Sequence, residues 1–170
     1  QSLNEVRIFD SQTRKLLRVL GNPESQFETP HGLLFTNEYL LISNACNYNR
    51  PGTINVYRND STIKAPIQIF QTPFDHLREP HSMAMRDGRL VVTYAENVAA
   101  SGAIVSYGFD EETGQIAGPL DKTESWFAGC GDPKGICFNS DGSKIFVTFE
   151  SDKQFSVVEK MFRSLASDKD

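Results

Sequence analysis

No apolar run in this 170-residue sequence approaches the roughly 18 residues needed to cross a bilayer, and no basic-then-apolar leader opens it. A membrane span is therefore not expected. Blocks of one charge sign are also missing. The formal net charge is −5 and no Lys/Arg cluster stands out, so the electrostatic footprint of a nucleic-acid binder is absent and nucleic acid is not an expected partner. Cysteine is scarce: Cys46, Cys130 and Cys137 are odd in number and never spaced C-x-x-C, which points to free thiols and away from a zinc ribbon. Cys137 falls in an apolar run and is expected in the core, whereas Cys130 lies between glycines and is expected in an accessible loop. Length and an apolar content of 39% fit one globular domain of ordinary size.

What the chain does contain is a phrase written three times. Pro30-His31-Gly32-Leu33-Leu34-Phe35 returns as Pro80-His81-Ser82-Met83-Ala84-Met85 and as Pro133-Lys134-Gly135-Ile136-Cys137-Phe138. Such a period, near 50 residues, marks one supersecondary unit stacked on copies of itself, because a single unit cannot bury its own apolar face. After each phrase comes a polar turn, Asp87-Gly88 and Asp141-Gly142 in two copies and Asn37-Glu38 in the other, then a second apolar run. These second runs, Leu40 to Asn44, Leu90 to Tyr94 and Ile145 to Phe149, are contiguous rather than alternating, as strands buried on both faces should be. A third strand follows, since Gly52-Thr53-Ile54-Asn55-Val56-Tyr57 matches Gly102-Ala103-Ile104-Val105-Ser106-Tyr107, with Glu5 to Asp10 and Phe155 to Val158 in the same role. Lys15 to Leu20 and Pro66 to Phe70 alternate more and read as outer strands.

Four antiparallel strands per repeat describe the blade of a β-propeller. A β-sandwich is the alternative, but its strands need not repeat in sequence and these do. The expected class is therefore all-β, with about three blades of an incomplete ring: 1–29 ending one blade, 30–79 and 80–132 as full blades, and 133–170 as an unfinished one. A closed propeller has typically four to eight blades. Further chain or a second copy is expected to complete the ring, an expectation in keeping with a first residue, Gln1, that is not Met.

Recurrence places His31, His81 and Lys134 at equivalent positions, so they should converge on one end of the channel. Two roles fit them: a cap on the inner strand, or a proton acceptor or ligand on the channel wall. Asn44, Asn47, Glu96, Asn97 and Glu150 follow the second strands and could offer oxygen ligands to a hard cation, calcium before zinc, or remain solvated loop residues. Trp126 and Phe127 are expected to pack an outer strand between blades. Asn59-Asp60-Ser61 fits a glycosylation acceptor, a motif short enough to arise by chance.

The Pro-His or Pro-Lys phrase, the Asp-Gly hairpin and the run from Ile104 to Gly114 together resemble the YVTN-type propellers, especially the seven-bladed lactonases related to 6-phosphogluconolactonase. That resemblance implies lactone hydrolysis as one possible activity, with His81 and Glu96 near the central cleft, Lys134 or Arg78 steadying an oxyanion, and His31 and Glu150 beside them. In gluconolactonase-type propellers a carboxylate and amide set holds the metal, which would here draw on Asn44, Asn47 and Asn97 for calcium. The same family also contains binding proteins without chemistry. The leading expectation is accordingly a module that binds a small molecule or protein at its central face, with lactone hydrolysis as the alternative.

Overall fold

The computed structural model describes residues 4–21, 27–45, 50–60, 65–74, 77–95, 102–123, 132–150 and 155–159. These residues form thirteen strands and no helix. Strands β1 (Glu5–Phe9) and β2 (Leu16–Gly21) make a two-stranded sheet. A four-stranded sheet follows from β3 (Thr29–Phe35), β4 (Tyr39–Ala45), β5 (Thr53–Arg58) and β6 (Gln68–Gln71). The next has β7 (Glu79–Arg86), β8 (Arg89–Ala95), β9 (Ala103–Asp110) and β10 (Gln115–Thr123), and the last has β11 (Pro133–Phe138), β12 (Lys144–Phe149) and β13 (Phe155–Glu159). Every pairing is antiparallel between consecutive strands. The sheets are thus up-and-down blades, as the repeat implies.

The core lies between blades. Val6, Leu20, Phe27, Leu40, Ile42 and Tyr57 fill the space between the first sheet and the second. Leu41, Val56, Met83, Leu90, Val92 and Val105 belong to the layer between the two complete blades. Val91, Ile104, Ile145, Val147 and Phe149 form the third layer. Successive side chains of a strand point to opposite faces, so the contiguous apolar runs of β4 and β8 supply two layers each and are buried throughout. Each such side chain contributes about 1.5–3 kcal/mol by leaving water.

The third run departs from this. In β12, Ile145, Val147 and Phe149 are buried while Thr148 is exposed, because one face meets the third layer and no described sheet covers the other. The same asymmetry corrects the expectation for Cys137. Its neighbours Ile136 and Phe138 face the packed side, so Cys137 points away from it and is an exposed free thiol. The outer strand of the second complete blade is β10, earlier in the chain than Trp126 and Phe127, which with Cys46 and Cys130 lie outside the described residues.

Two local devices fix the blade spacing. A side chain on Gly52 would run into the ring of Pro80, and one on Gly102 into the ring of Pro133, so repeat-equivalent glycines let β7 and β11 begin against the preceding blade. The hairpin of the second complete blade has Asp87 at φ 49° and Gly88 at φ 69°, the pair of positive angles that a tight two-residue turn requires.

Candidate functional site

Each inner strand carries the same irregularity. The register with its neighbour slips between Pro30 and Leu33, between Pro80 and Met83, and between Pro133 and Ile136. One extra residue has been accommodated at His31-Gly32, His81-Ser82 and Lys134-Gly135, and such a bulge re-aims a side chain that would otherwise alternate with the strand. The displaced amide is taken by a hydroxyl from the second strand. Gly32 N donates to Ser43 Oγ at 2.8 Å, Ser82 N to Thr93 Oγ1 at 3.0 Å, and Gly135 N to Thr148 Oγ1 at 2.9 Å. Ser43 Oγ then donates to the carbonyl of His81 at 2.7 Å, and Thr93 Oγ1 to that of Lys134 at 2.9 Å, so the second and third bulges are also held from the blade before them.

The bulges bring the three predicted channel residues together. The rings of His31 and His81 stack with centroids 4.4 Å apart and 18° between planes. Lys134 Nζ lies 2.8 Å from His81 Nε2 and 2.9 Å from Glu150 Oε2. An ammonium group has donors only, so His81 Nε2 accepts and the ring proton sits on Nδ1. Glu79 Oε2 stands 3.6 Å from the same Nε2, a pairing that would need a protonated ring. Burial, the Lys134 charge and the neighbouring His31 instead push the His81 pKa down to about 4, which makes it neutral at pH 7. Burial also lowers His31, and Lys134 holds Glu150 below the usual carboxylate range. The result is a neutral imidazole stack beside one ammonium and two carboxylates, able to offer hydrogen bonds and a flat ring face to a polar ligand.

Not every candidate joins this cluster. Arg78 precedes β7 and is partly buried, its carbonyl close to Gly52. Asn44 is fully buried, and its Oδ1 accepts the amides of Glu28 and Thr29 at 2.9 and 3.0 Å while Nδ2 donates to Thr53 Oγ1 at 3.3 Å. That amide ties the entry of β3 to β4 and is spent on the chain itself, so the structure gives it no opening to a cation. Asn47, Glu96 and Asn97 lie outside the described residues. Among the described residues no group of three His, Cys, Asp or Glu side chains is placed to hold a metal. Glu79 and the hydroxyls of Ser43, Thr93 and Thr148 were missed, although the hydroxyls occupy equivalent places in the three second runs.

No family model matches the chain, and no curated protein does. Solved structures do. Over 92% of its length the chain superposes on Hsv2 from Kluyveromyces lactis, with a TM-score of 0.52 at 13% identity. Over 91% it superposes on KlAtg21, solved in complex with the coiled coil of AgAtg16, with a TM-score of 0.57 at 13% identity. A 6-phosphogluconolactonase candidate from Bacteroides uniformis gives a TM-score of 0.55 at 15% identity over 91%. The fold is that of β-propeller blades. The chain spans 41%, 46% and 48% of those proteins respectively, less than half of each propeller. Identities this low carry the fold of the blades and nothing of their chemistry.

Proposed function

We propose that this chain is a segment of a β-propeller that binds a polar ligand or a partner protein at the channel end formed by His31, His81 and Lys134. The observation that carries the reading is their convergence: three repeat-equivalent bulges on three blades bring their side chains into mutual contact. Glu150 and Glu79, beside Lys134 and His81, would supply further ligand contacts. In this reading 30–79 and 80–132 are complete blades, 1–29 and 133–170 are parts of two more, and additional chain or a second copy closes the ring. The propeller KlAtg21, solved with a coiled coil, is a precedent for protein binding by this fold.

A second reading is hydrolysis of a sugar lactone, favoured by the neutral imidazole of His81 and by likeness to the YVTN lactonases. There, His81 would take the proton of the attacking water, Glu96 would assist, and Lys134 would steady the oxyanion. Calcium, if used, would draw on Asn47 and Asn97. Against this stands the lone pair of His81 Nε2, which the Lys134 ammonium already occupies. Binding therefore ranks first.

One experiment separates them: hydrolysis of glucono- and 6-phosphogluconolactone with and without calcium, run beside imidazole NMR during titration with gluconate and 6-phosphogluconate. The binding reading expects no turnover and concerted shifts of the His31 and His81 rings that vanish in Lys134→Met. Turnover that drops at least about a hundredfold in His81→Ala would replace it with the hydrolase reading. Silence in both arms would remove sugar acids and their lactones as ligands.

A further inference from the structure

One nitrogen of the site faces two partners that need it in opposite states. His81 Nε2 lies 2.8 Å from Lys134 Nζ and 3.6 Å from Glu79 Oε2. An ammonium only donates and a carboxylate only accepts, so the neutral ring serves Lys134 and a protonated ring serves Glu79. The two bonds differ in what they join. Lys134 lies on β11, so its bond ties the last sheet to the preceding blade, whereas Glu79 sits on β7 two residues before the ring and closes a bond within one strand.

Both alternative partners are already in place. Glu79 Oε2 stands just beyond hydrogen-bond length, and a small side-chain rotation closes the gap. Lys134 has a second acceptor in Glu150 Oε2 at 2.9 Å, on an exposed side chain, so an ammonium turned away by the ring can follow that carboxylate towards solvent. His31 of β3, stacked on the ring, is the other ionisable group that acts on it among the described residues. Strands β4 and β8 also pack against β7, and they hold its bulge through the hydroxyls of Ser43 and Thr93. The ring can therefore change partner while the backbone that carries it stays fixed.

We infer that His81 is a proton-operated latch: the neutral ring ties the last sheet to the preceding blade through Lys134, and a proton entering between Nε2 and Glu79 hands the ring to Glu79 and releases Lys134 to Glu150. The proton takes the lone pair on which Lys134 depends, so the two bonds exclude each other. The consequence for a ligand rests on the binding reading above. A ligand held across His31, His81 and Lys134 meets that surface only while the ring is neutral, and acid dismantles it.

The test needs no ligand, so it is separate from the binding reading, which fails on its own if the gluconate and 6-phosphogluconate titrations at pH 7 are silent. Nitrogen NMR of the imidazole and lysine side chains is followed as the pH is lowered from 7, with the backbone amides as the check on folding. The His81 ring should titrate at about pH 4, and the Lys134 Nζ resonance should move with the same midpoint while the amide spectrum stays dispersed. Lys134→Met should raise that midpoint by about one unit or more, and Glu79→Gln should leave the ring still mostly neutral at pH 4. A Lys134 resonance that ignores the ring's transition would overturn the inference, as would a wild-type midpoint in either variant. So would a ring that gains its proton only as the amide spectrum collapses, because the proton would then enter by unfolding and not by exchange of partners.

Discussion

A histidine kept neutral by its surroundings ties stability to pH with a definite sign. His81 has a pKa near 4 in the folded chain against 6.5 for a free side chain, and His31 is lowered too. The unfolded chain therefore binds protons that the folded chain refuses. This stability is fully present above about pH 6.5 and is lost as pH falls towards 4. For His81 it amounts to about 3 kcal/mol, since its side chain is only 14% exposed and solvent screens it little. The lowered Asp10, Asp110 and Asp141 act in the same direction but below their ordinary value of 3.8, so the two windows separate. Urea midpoints measured from pH 7 to pH 4.5 should fall, and His81→Gln should flatten much of that fall. A variant whose midpoint keeps the wild-type slope would show that the ring is not held neutral.

Among the elements, the inner strands depend on a hydroxyl whose importance varies with its blade. Thr93 accepts the amide of Ser82 and donates to the carbonyl of Lys134, so Thr93→Val orphans two backbone groups of one shape-preserving change. The expected cost is about 2–4 kcal/mol. Among the described residues Thr148 serves only its own bulge on an exposed face, and Thr148→Val should cost under about 1 kcal/mol. Equilibrium unfolding in urea with unchanged slopes would establish the contrast, and equal losses would refute it. These strands also mark how far the sequence could be read. The Pro-His phrase and the unbroken runs of β4 and β8 were legible because burial on two faces removes polar residues. The bulges were not, since an inserted residue leaves the apolar pattern nearly intact, and neither was the open face of β12, because Phe146 and Cys137 look like core whether or not another sheet covers them. The cluster was legible as far as His31, His81 and Lys134, which recur. Glu79 was hidden because its only signal is a side-chain contact across a bulge.

At the scale of the molecule, four sheets enclose three packed layers, and among the described residues nothing covers the outer face of the first sheet or of the last. Phe9, Leu16, Leu17 and Val19 on the first sheet are each at least 40% exposed. Strand β2 is also an edge, paired only with β1 among the described residues. Such an edge with apolar flanks is a template for another chain. The isolated chain should self-associate in a concentration-dependent way by light scattering, and replacing Leu17 and Val19 by Lys should suppress it. A monomer that persists at high concentration would contradict this.

One arrangement at the bulges reaches further than its local task. The carbonyl of His81 and the amide of Ser82 belong to a single peptide group, as do the carbonyl of Lys134 and the amide of Gly135. Hydroxyl and peptide therefore alternate head to tail, from the amide of Gly32 through Ser43, the 81–82 peptide, Thr93 and the 134–135 peptide to Thr148. The dipoles all point the same way, across the strands and around the axis, and bonds in such a series polarise one another. Among the described residues this line runs from an acceptor, the carbonyl of His31, to a donor, the hydroxyl of Thr148. In a closed ring built from the same repeat it would have neither, and its net dipole would cancel around the circle.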